Sequence, residues 1–284
     1  MKINVDEQTD LVRSFIDVHH KQIDGWFTGL DQVAFIEVCN AQLELAVSGD
    51  IAEVGVWKGK SLTLLSLLRR QPERLLCFDL FQDDNRSIVE RNLKQFGWDE
   101  NVTFTEGLTS DISARSLDTM FQRPLRFLHI DAGHEYHEVL EQMHLFSPYV
   151  SDYGVIAMDD YHDPEFPGVG AAVLDFSERL KPRRFVPFLA TGNKMFLCTQ
   201  ETAHRYQRAI IGRPLFLNQS RLTRVRDFNV LILKSKLPVD ASTIEKQILG
   251  TLFPRHDDSS FSLAEKSKRF SQITYGAGKI DHEG

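Results

Sequence analysis

Apolar positions recur along this chain with two different spacings. Over residues 11–23 and 33–47 they fall three or four apart, the spacing of one helical face, and residues 24–29 between them read as a loop. From residue 51 the pattern changes. Short runs of aliphatic and aromatic residues at 51–54, 75–78, 102–105, 125–130, 154–158, 184–187 and 194–198 predict strands. Helix-spaced stretches at 60–69, 85–96, 112–121, 136–146 and 169–180 separate them. Strands spaced by helices predict a mainly parallel sheet covered on both faces. Only residues 188–193 link the last two strands, enough for an antiparallel hairpin and too few for a parallel crossover. Beyond residue 200, residues 202–211 and 241–253 read as helices, 228–233 as a strand, and 257–284 as a polar, partly mobile end. The expected organisation is an N-terminal helical extension over 1–48, an α/β domain over 49–200 and a C-terminal α+β extension over 201–284.

With 284 residues, 42% hydrophobic and 26% charged, the chain is able to bury a full core. No apolar run approaches the roughly 20 residues of a membrane span, and the polar first ten residues do not read as a signal peptide, so a cytoplasmic location is expected. Cys39, Cys77 and Cys198 stand far apart in apolar stretches and read as reduced core residues, not a disulfide or zinc framework. A net charge of −7 argues against a nucleic-acid partner. The basic clusters at 181–184 and 221–226 read as solvated edges, the second also suiting an anionic ligand.

The segment Ile51-Ala-Glu53-Val-Gly55-Val-Trp-Lys-Gly59-Lys-Ser61 ends a strand in a carboxylate, turns on two glycines and opens into a helix. Such a turn brings backbone N–H groups and a helix N-terminus to a ligand at the carboxyl edge of a sheet. It is not a P-loop, which needs four residues between its first glycine and Gly-Lys-Ser; here Gly55 and Gly59 are separated by three. Nor does it hold the Gly-x-Gly-x-x-Gly of a dinucleotide site. Glu-x-Gly-x-x-x-Gly-x-Ser instead resembles the first motif of the class I S-adenosylmethionine-dependent methyltransferases. That resemblance implies a Rossmann-like, seven-stranded, mostly parallel sheet with one antiparallel strand, and a cofactor whose methionine end is cradled by Glu53, Gly55 and Gly59, with Ser61 beside them.

In a parallel sheet the strands finish at one edge, so the residues just past them converge. Those residues are Glu53, Asp79, Glu106, Asp131 and the pair Asp159-Asp160. A row of acids repels itself unless it meets cations or hydroxyl donors. Asp83 and Asp84 read as loop or cap residues. Asp79, after the second strand, is placed to accept hydrogen bonds from the ribose hydroxyls of an adenosine cofactor. Thr109-Ser110-Asp111 resembles the segment that contacts adenine in these methyltransferases, so Ser110 and Asp111 join the expected cofactor site. Asp131, Asp159 and Asp160 make a hard, oxygen-only set suited to Mg²⁺, Mn²⁺ or Ca²⁺. The two segments that carry them, with Pro167–Phe176 downstream, resemble the metal-dependent bacterial sugar and antibiotic-tailoring O-methyltransferases. That likeness implies metal ligation by Asp131, Asp159 and Asp160 and places a general base at His134; the alternative acidic base would fall at Gly133. His129, His134, His137, His144 and His162 are close in sequence but lack the His-Glu-x-x-His spacing of a zinc site. His129 is expected to pack inside its strand and His144 to face away.

The expected function is S-adenosylmethionine-dependent O-methyl transfer, assisted by Mg²⁺ or another hard divalent ion, to a hydroxyl such as the vicinal diol of a sugar or small natural product. Asp131 and His134 are the expected catalytic groups. The alternatives are a non-catalytic S-adenosylmethionine-binding protein of regulation or assembly, and a nicotinamide oxidoreductase, which the glycine spacing disfavours. The partner is a small molecule, not nucleic acid or membrane. The helices of residues 11–47 suit a lid or a homo-oligomer contact, with Trp26 and Phe27 expected in the core.

Overall fold

The computed structural model describes residues 5–97, 100–178, 185–211, 213 and 220–233. Helices α1 (Val5–Asp17) and α2 (Gly29–Glu44) come first. The alternating region gives β1 (Asp50–Val54), α3 (Lys60–Leu67), β2 (Leu75–Asp79), α4 (Asn85–Gln95), β3 (Val102–Glu106), α5 (Ala114–Met120), β4 (Leu125–Ile130), α6 (Tyr136–Phe146), β5 (Val150–Met158) and α7 (Pro167–Glu178). It closes with β6 (Phe185–Ala190), β7 (Met195–Thr199), α8 (Ala203–Ile211), β8 (Ser220–Val225) and β9 (Phe228–Leu233).

One sheet holds all nine strands in the order β3-β2-β1-β4-β5-β7-β6-β9-β8. Strands β1 to β5 are parallel, and β7 runs antiparallel to both β5 and β6. The expected α/β architecture is the one found, but the sheet is two strands wider than expected. Strand β9 adds parallel to β6, and β8 pairs antiparallel with β9. Strand β8 lies in the stretch read as a basic, solvated cluster. Its Arg221 and Arg224 are exposed, and charge along an outer strand discourages pairing with another chain. The helix read at 241–253 and the polar end at 257–284 lie outside the described residues.

Alternation along each strand sends successive side chains to opposite faces. Ile51, Phe127, Val155 and Phe196 belong to one core, beneath α1, α2, α3, α4 and α8. Ala52, Leu128, Ile156 and Leu197 belong to the other, beneath α5, α6 and α7. Helix α2 begins with a capping box, in which Thr28 and Asp31 satisfy each other's backbone N–H groups. After β1 the chain winds outward through β2 and β3, then returns to place β4 on the other side of β1. That reversal opens a crevice past the carboxyl ends of β1 and β4, where open α/β sheets bind ligands.

Candidate active site

The glycine turn sits at that crevice. Gly55 has φ +82°, and a Cβ there would lie 1.8 Å from the carbonyl oxygen of Asp131, so only glycine lets the β1 and β4 ends come this close. Asp131 N–H donates to the Val54 carbonyl at 2.7 Å, which fixes the two ends together. Gly59, at φ +80°, caps α3 in the left-handed region. Glu53, fully buried, accepts a hydrogen bond from Ser61 Oγ at 2.5 Å through Oε1, and the same oxygen pairs with His129 Nδ1 at 2.6 Å. Its other oxygen, Oε2, is buried with no hydrogen-bond partner among the described residues. Ser61 therefore orients Glu53.

Asp79 differs from expectation. Its Oδ2 accepts from the N–H groups of Val56 (2.6 Å) and Trp57 (2.9 Å), and its Oδ1 from that of Phe81 (2.6 Å). The carboxylate ties the glycine turn to the end of β2, leaving about one of its roughly four lone-pair sites for a ribose. Ser110 and Asp111 are exposed on the short helical turn Thr109–Asp111. Gln142 bridges that turn to the loop after β4, donating to Thr109 Oγ1 at 3.3 Å and accepting from Gly133 N–H at 3.4 Å.

The remaining acids converge past β4 and β5. Two sets of three have donor atoms within 4.8 Å of one another: His129, Asp131 and Asp159, and Asp131, His134 and Asp160. Buried Lys194, absent from the sequence-based site, donates its ammonium group to Asp159 Oδ2. Asp159 Oδ1 accepts from Asn193 Nδ2 and Asp160 N–H, both at 2.9 Å. Asp160 Oδ1 accepts from Asn193 Nδ2 at 2.9 Å, and its Oδ2 lies 2.9 Å from His134 Nε2. The His134 ring stacks on Phe166, centroids 4.0 Å apart and planes 12° apart. His129 Nε2 is 3.7 Å from Asp159 Oδ2.

Burial raises a carboxyl and lowers an amine, and partners reverse either effect. Burial, then the neighbouring Asp159 carboxylate, push Asp131 well above the usual carboxylate range. Burial would raise Asp159 too, but Lys194 and His129 hold it well below that range. Burial and Lys194 pull His129 down, yet its contacts with Asp159 and Glu53 outweigh them and raise it to about 9. The site thus carries its own cations.

The loop before α2 covers the turn. Lys60 Nζ donates to the Gly25 carbonyl at 2.9 Å, and Lys58 pairs with Asp24 at 2.6 Å. Phe27 is buried as expected, but Trp26 is 86% exposed and stacks on Trp57 with centroids 5.5 Å apart.

Residues 52–161 match the family model described as a methyltransferase domain. This segment is similar to methyltransferase domains. Two solved structures share the fold. CalS11, a TDP-rhamnose 3'-O-methyltransferase of calicheamicin biosynthesis, is 19% identical, with 70% of this chain and 87% of that chain covered and a TM-score of 0.50. The O-methyltransferase NovP is 17% identical, with 69% of this chain and 99% of that chain covered and a TM-score of 0.54. No curated protein matches the chain.

At this rim the residues present fit an S-adenosylmethionine-like cofactor better than they fit an ion. The buried, unpartnered Oε2 of Glu53 matches the cationic amino group of an S-adenosylmethionine methionine end. A hard divalent ion needs several free oxygen donors. Asp159 spends both oxygens on Lys194, Asn193 and a backbone N–H, and Asp160 spends both on Asn193 and His134. Of the expected ligand set Asp131, Asp159 and Asp160, the last two are therefore already partnered. His129 and Lys194 escaped sequence reasoning because each is a single basic residue in or beside an apolar run. The available signal was the pairing of such residues with strand-end acids. His137, His144 and His162 belong to neither convergent set.

Proposed function

We propose that this protein is an S-adenosylmethionine-dependent O-methyltransferase acting on a small-molecule hydroxyl, with the vicinal diol of a sugar or small natural product as its acceptor class. The observation that carries this reading is the His134–Asp160 pair, 2.9 Å apart on the same rim as the glycine turn. Bound S-adenosylmethionine supplies an electrophilic methyl group on a positively charged sulfur. The chain's residues supply alignment and the proton acceptor. Asp160 receives a hydrogen bond from His134 Nε2–H and so fixes the tautomer, leaving the Nδ1 lone pair to take the acceptor's hydroxyl proton. Stacking on Phe166 holds the imidazole plane. Asp131, within reach of both His134 and Asp160, faces the neighbouring hydroxyl of a diol. As the acceptor oxygen takes the methyl group, the carbon–sulfur bonding electrons stay on sulfur, and His134 later returns its proton to water. Holding the reactants in line supplies several kcal/mol of the barrier. These steps need no divalent ion, and two of the acids that would ligate one, Asp159 and Asp160, are already partnered.

Cofactor roles follow the same geometry. Glu53 faces the methionine amino group, Gly55 and Gly59 let the backbone approach, Asp79 sets the turn and lends its remaining lone pair to the ribose, and Ser110 and Asp111 flank the adenine. CalS11, a TDP-rhamnose 3'-O-methyltransferase, makes nucleotide-linked sugars the first acceptors to try. The test measures heats of binding for S-adenosylmethionine and S-adenosylhomocysteine, then methyl transfer to a panel of diols. His134→Asn is expected to slow turnover about 10²–10⁴-fold while S-adenosylhomocysteine affinity stays within about twofold. Absence of cofactor binding, or an unchanged rate in His134→Asn, sinks the proposal.

A further inference from the structure

We infer that Lys194 is a positioning residue whose fixed ammonium group fills the place of a cation at the β5 end, keeping divalent ions out of the site. The inference rests on the methyltransferase reading and adds how that site balances its charge. Lys194 opens the turn into β7 and is 1% exposed, so its charge has no access to water. A buried ammonium is retained only where carboxylates compensate it. Three carboxylates face it: Asp159 in direct contact, with Asp131 and Asp31 acting through space. The rings of Phe27 and Phe35 lie 5.5 and 6.0 Å from Nζ and close its remaining sides.

The group is also locked in place. Thr191 Oγ1 accepts from Lys194 N–H at 2.9 Å and donates to Asp31 Oδ1 at 2.5 Å. Asp31 is the capping residue of α2. One hydrogen-bonded chain therefore runs from the N-terminus of α2 through the β6–β7 turn to the strand-end acids. An ion entering here would have to displace an ammonium group that contacts Asp159 and two aromatic rings, on a backbone held by Thr191. It would also sit near the imidazole of His129, whose Nε2 is 3.7 Å from the same Asp159 oxygen. Coulomb repulsion between cations at such separations disfavours the ion.

The test titrates Mn²⁺ into the full chain in the presence of S-adenosylhomocysteine, following free Mn²⁺ by electron paramagnetic resonance. Wild type is expected to show no saturable binding below about 1 mM. Lys194→Ala should bind Mn²⁺ at least about tenfold more tightly, because Asp159 and Asp131 are left without their cation. Lys194→Met, which keeps much of the length without the charge, should admit the ion as Lys194→Ala does, which a purely space-filling role would not predict. Where Lys194→Ala fails to fold, Lys194→Gln keeps a donor for Asp159 without the charge and takes its place. Saturable Mn²⁺ binding by wild type, or equally weak binding by wild type and the uncharged variants, overturns the inference. S-adenosylhomocysteine heats measured on the same samples report separately on the cofactor site, so failure of the methyltransferase reading is distinguishable.

Discussion

At Glu53 one carboxylate oxygen is held by Ser61 and His129, while Oε2 meets no donor among the described residues. Leaving a buried polar atom unsatisfied costs about 1–3 kcal/mol, recovered when a ligand brings the missing donor. Asp79, on the next strand, is the reverse case: three backbone N–H groups already use its carboxylate. Isosteric amides separate the two roles. Glu53→Gln should weaken S-adenosylhomocysteine binding about tenfold or more, by calorimetry. Asp79→Asn turns an NH₂ group toward N–H donors, so it should lower the stability of the ligand-free protein by about 1–3 kcal/mol and weaken the cofactor through a loosened turn. Equal affinity in Glu53→Gln and wild type would remove Glu53 from the cofactor site.

At the scale of elements, β4 works at both ends. Its far end carries His129 and leads to Asp131, while its near end carries Arg126, which ties the sheet to the helices above it. Arg126 is fully buried and its donors are all used: Nε and Nη2 on Glu73 at 2.9 and 2.8 Å, Nη1 on Gln42 at 2.7 Å, and Nη2 also on the Leu68 carbonyl at 2.8 Å. Removing one partner of a buried ion pair leaves the other charge uncompensated, at about 3–5 kcal/mol. Arg126→Ala should lose that much in urea unfolding, and the double variant Arg126→Met, Glu73→Met should recover a good part of it; no recovery would mean that packing, not charge, sets the cost. Elements of this kind were unevenly legible. Strand β4 and helix α6 fall on the residues read from periodicity alone, because apolar alternation and helical spacing are local properties. The glycine turn was legible because a turn against another strand needs residues without a Cβ. Strand β8 was not, since a stretch carrying Arg221 and Arg224 looks like solvent-facing chain until a neighbouring strand supplies the partner. The partners of Lys194 and Asp79 were not legible for one reason: they lie 35 and 22–23 residues away, and only the fold brings them together.

Over the whole molecule, the buried titratable groups set how stability changes with pH. Glu37 of α2 pairs with Arg213, just past α8, at 2.7 Å, and Arg213 also reaches Glu44 at 2.9 Å. Burial raises the Glu37 carboxyl from 4.5 to about 7 against the pull of Arg213. The folded protein therefore keeps a proton that the unfolded chain releases near pH 4.5, and stability falls as pH rises from about 4.5 to about 7, by on the order of 3 kcal/mol. His129 extends the decline. Raised from 6.5 to about 9, it stabilises fully below about pH 6.5 and loses that contribution as pH climbs through 9. Asp131, also raised, has the same sign. Asp159 has the opposite sign: its depressed carboxyl stabilises above its unfolded value of 3.8 and loses that contribution as pH falls further. Stability should therefore peak near pH 5 and fall steadily toward pH 9, as followed by urea midpoints across that range. Glu37→Gln should flatten the curve between about pH 4.5 and 7 and leave the upper slope intact. His129→Asn should flatten the upper slope and leave the lower one. A wild-type curve that is level from pH 5 to 9 would show that these two buried groups do not hold their protons on folding, and the cationic state of His129 beside Glu53 would fall with it.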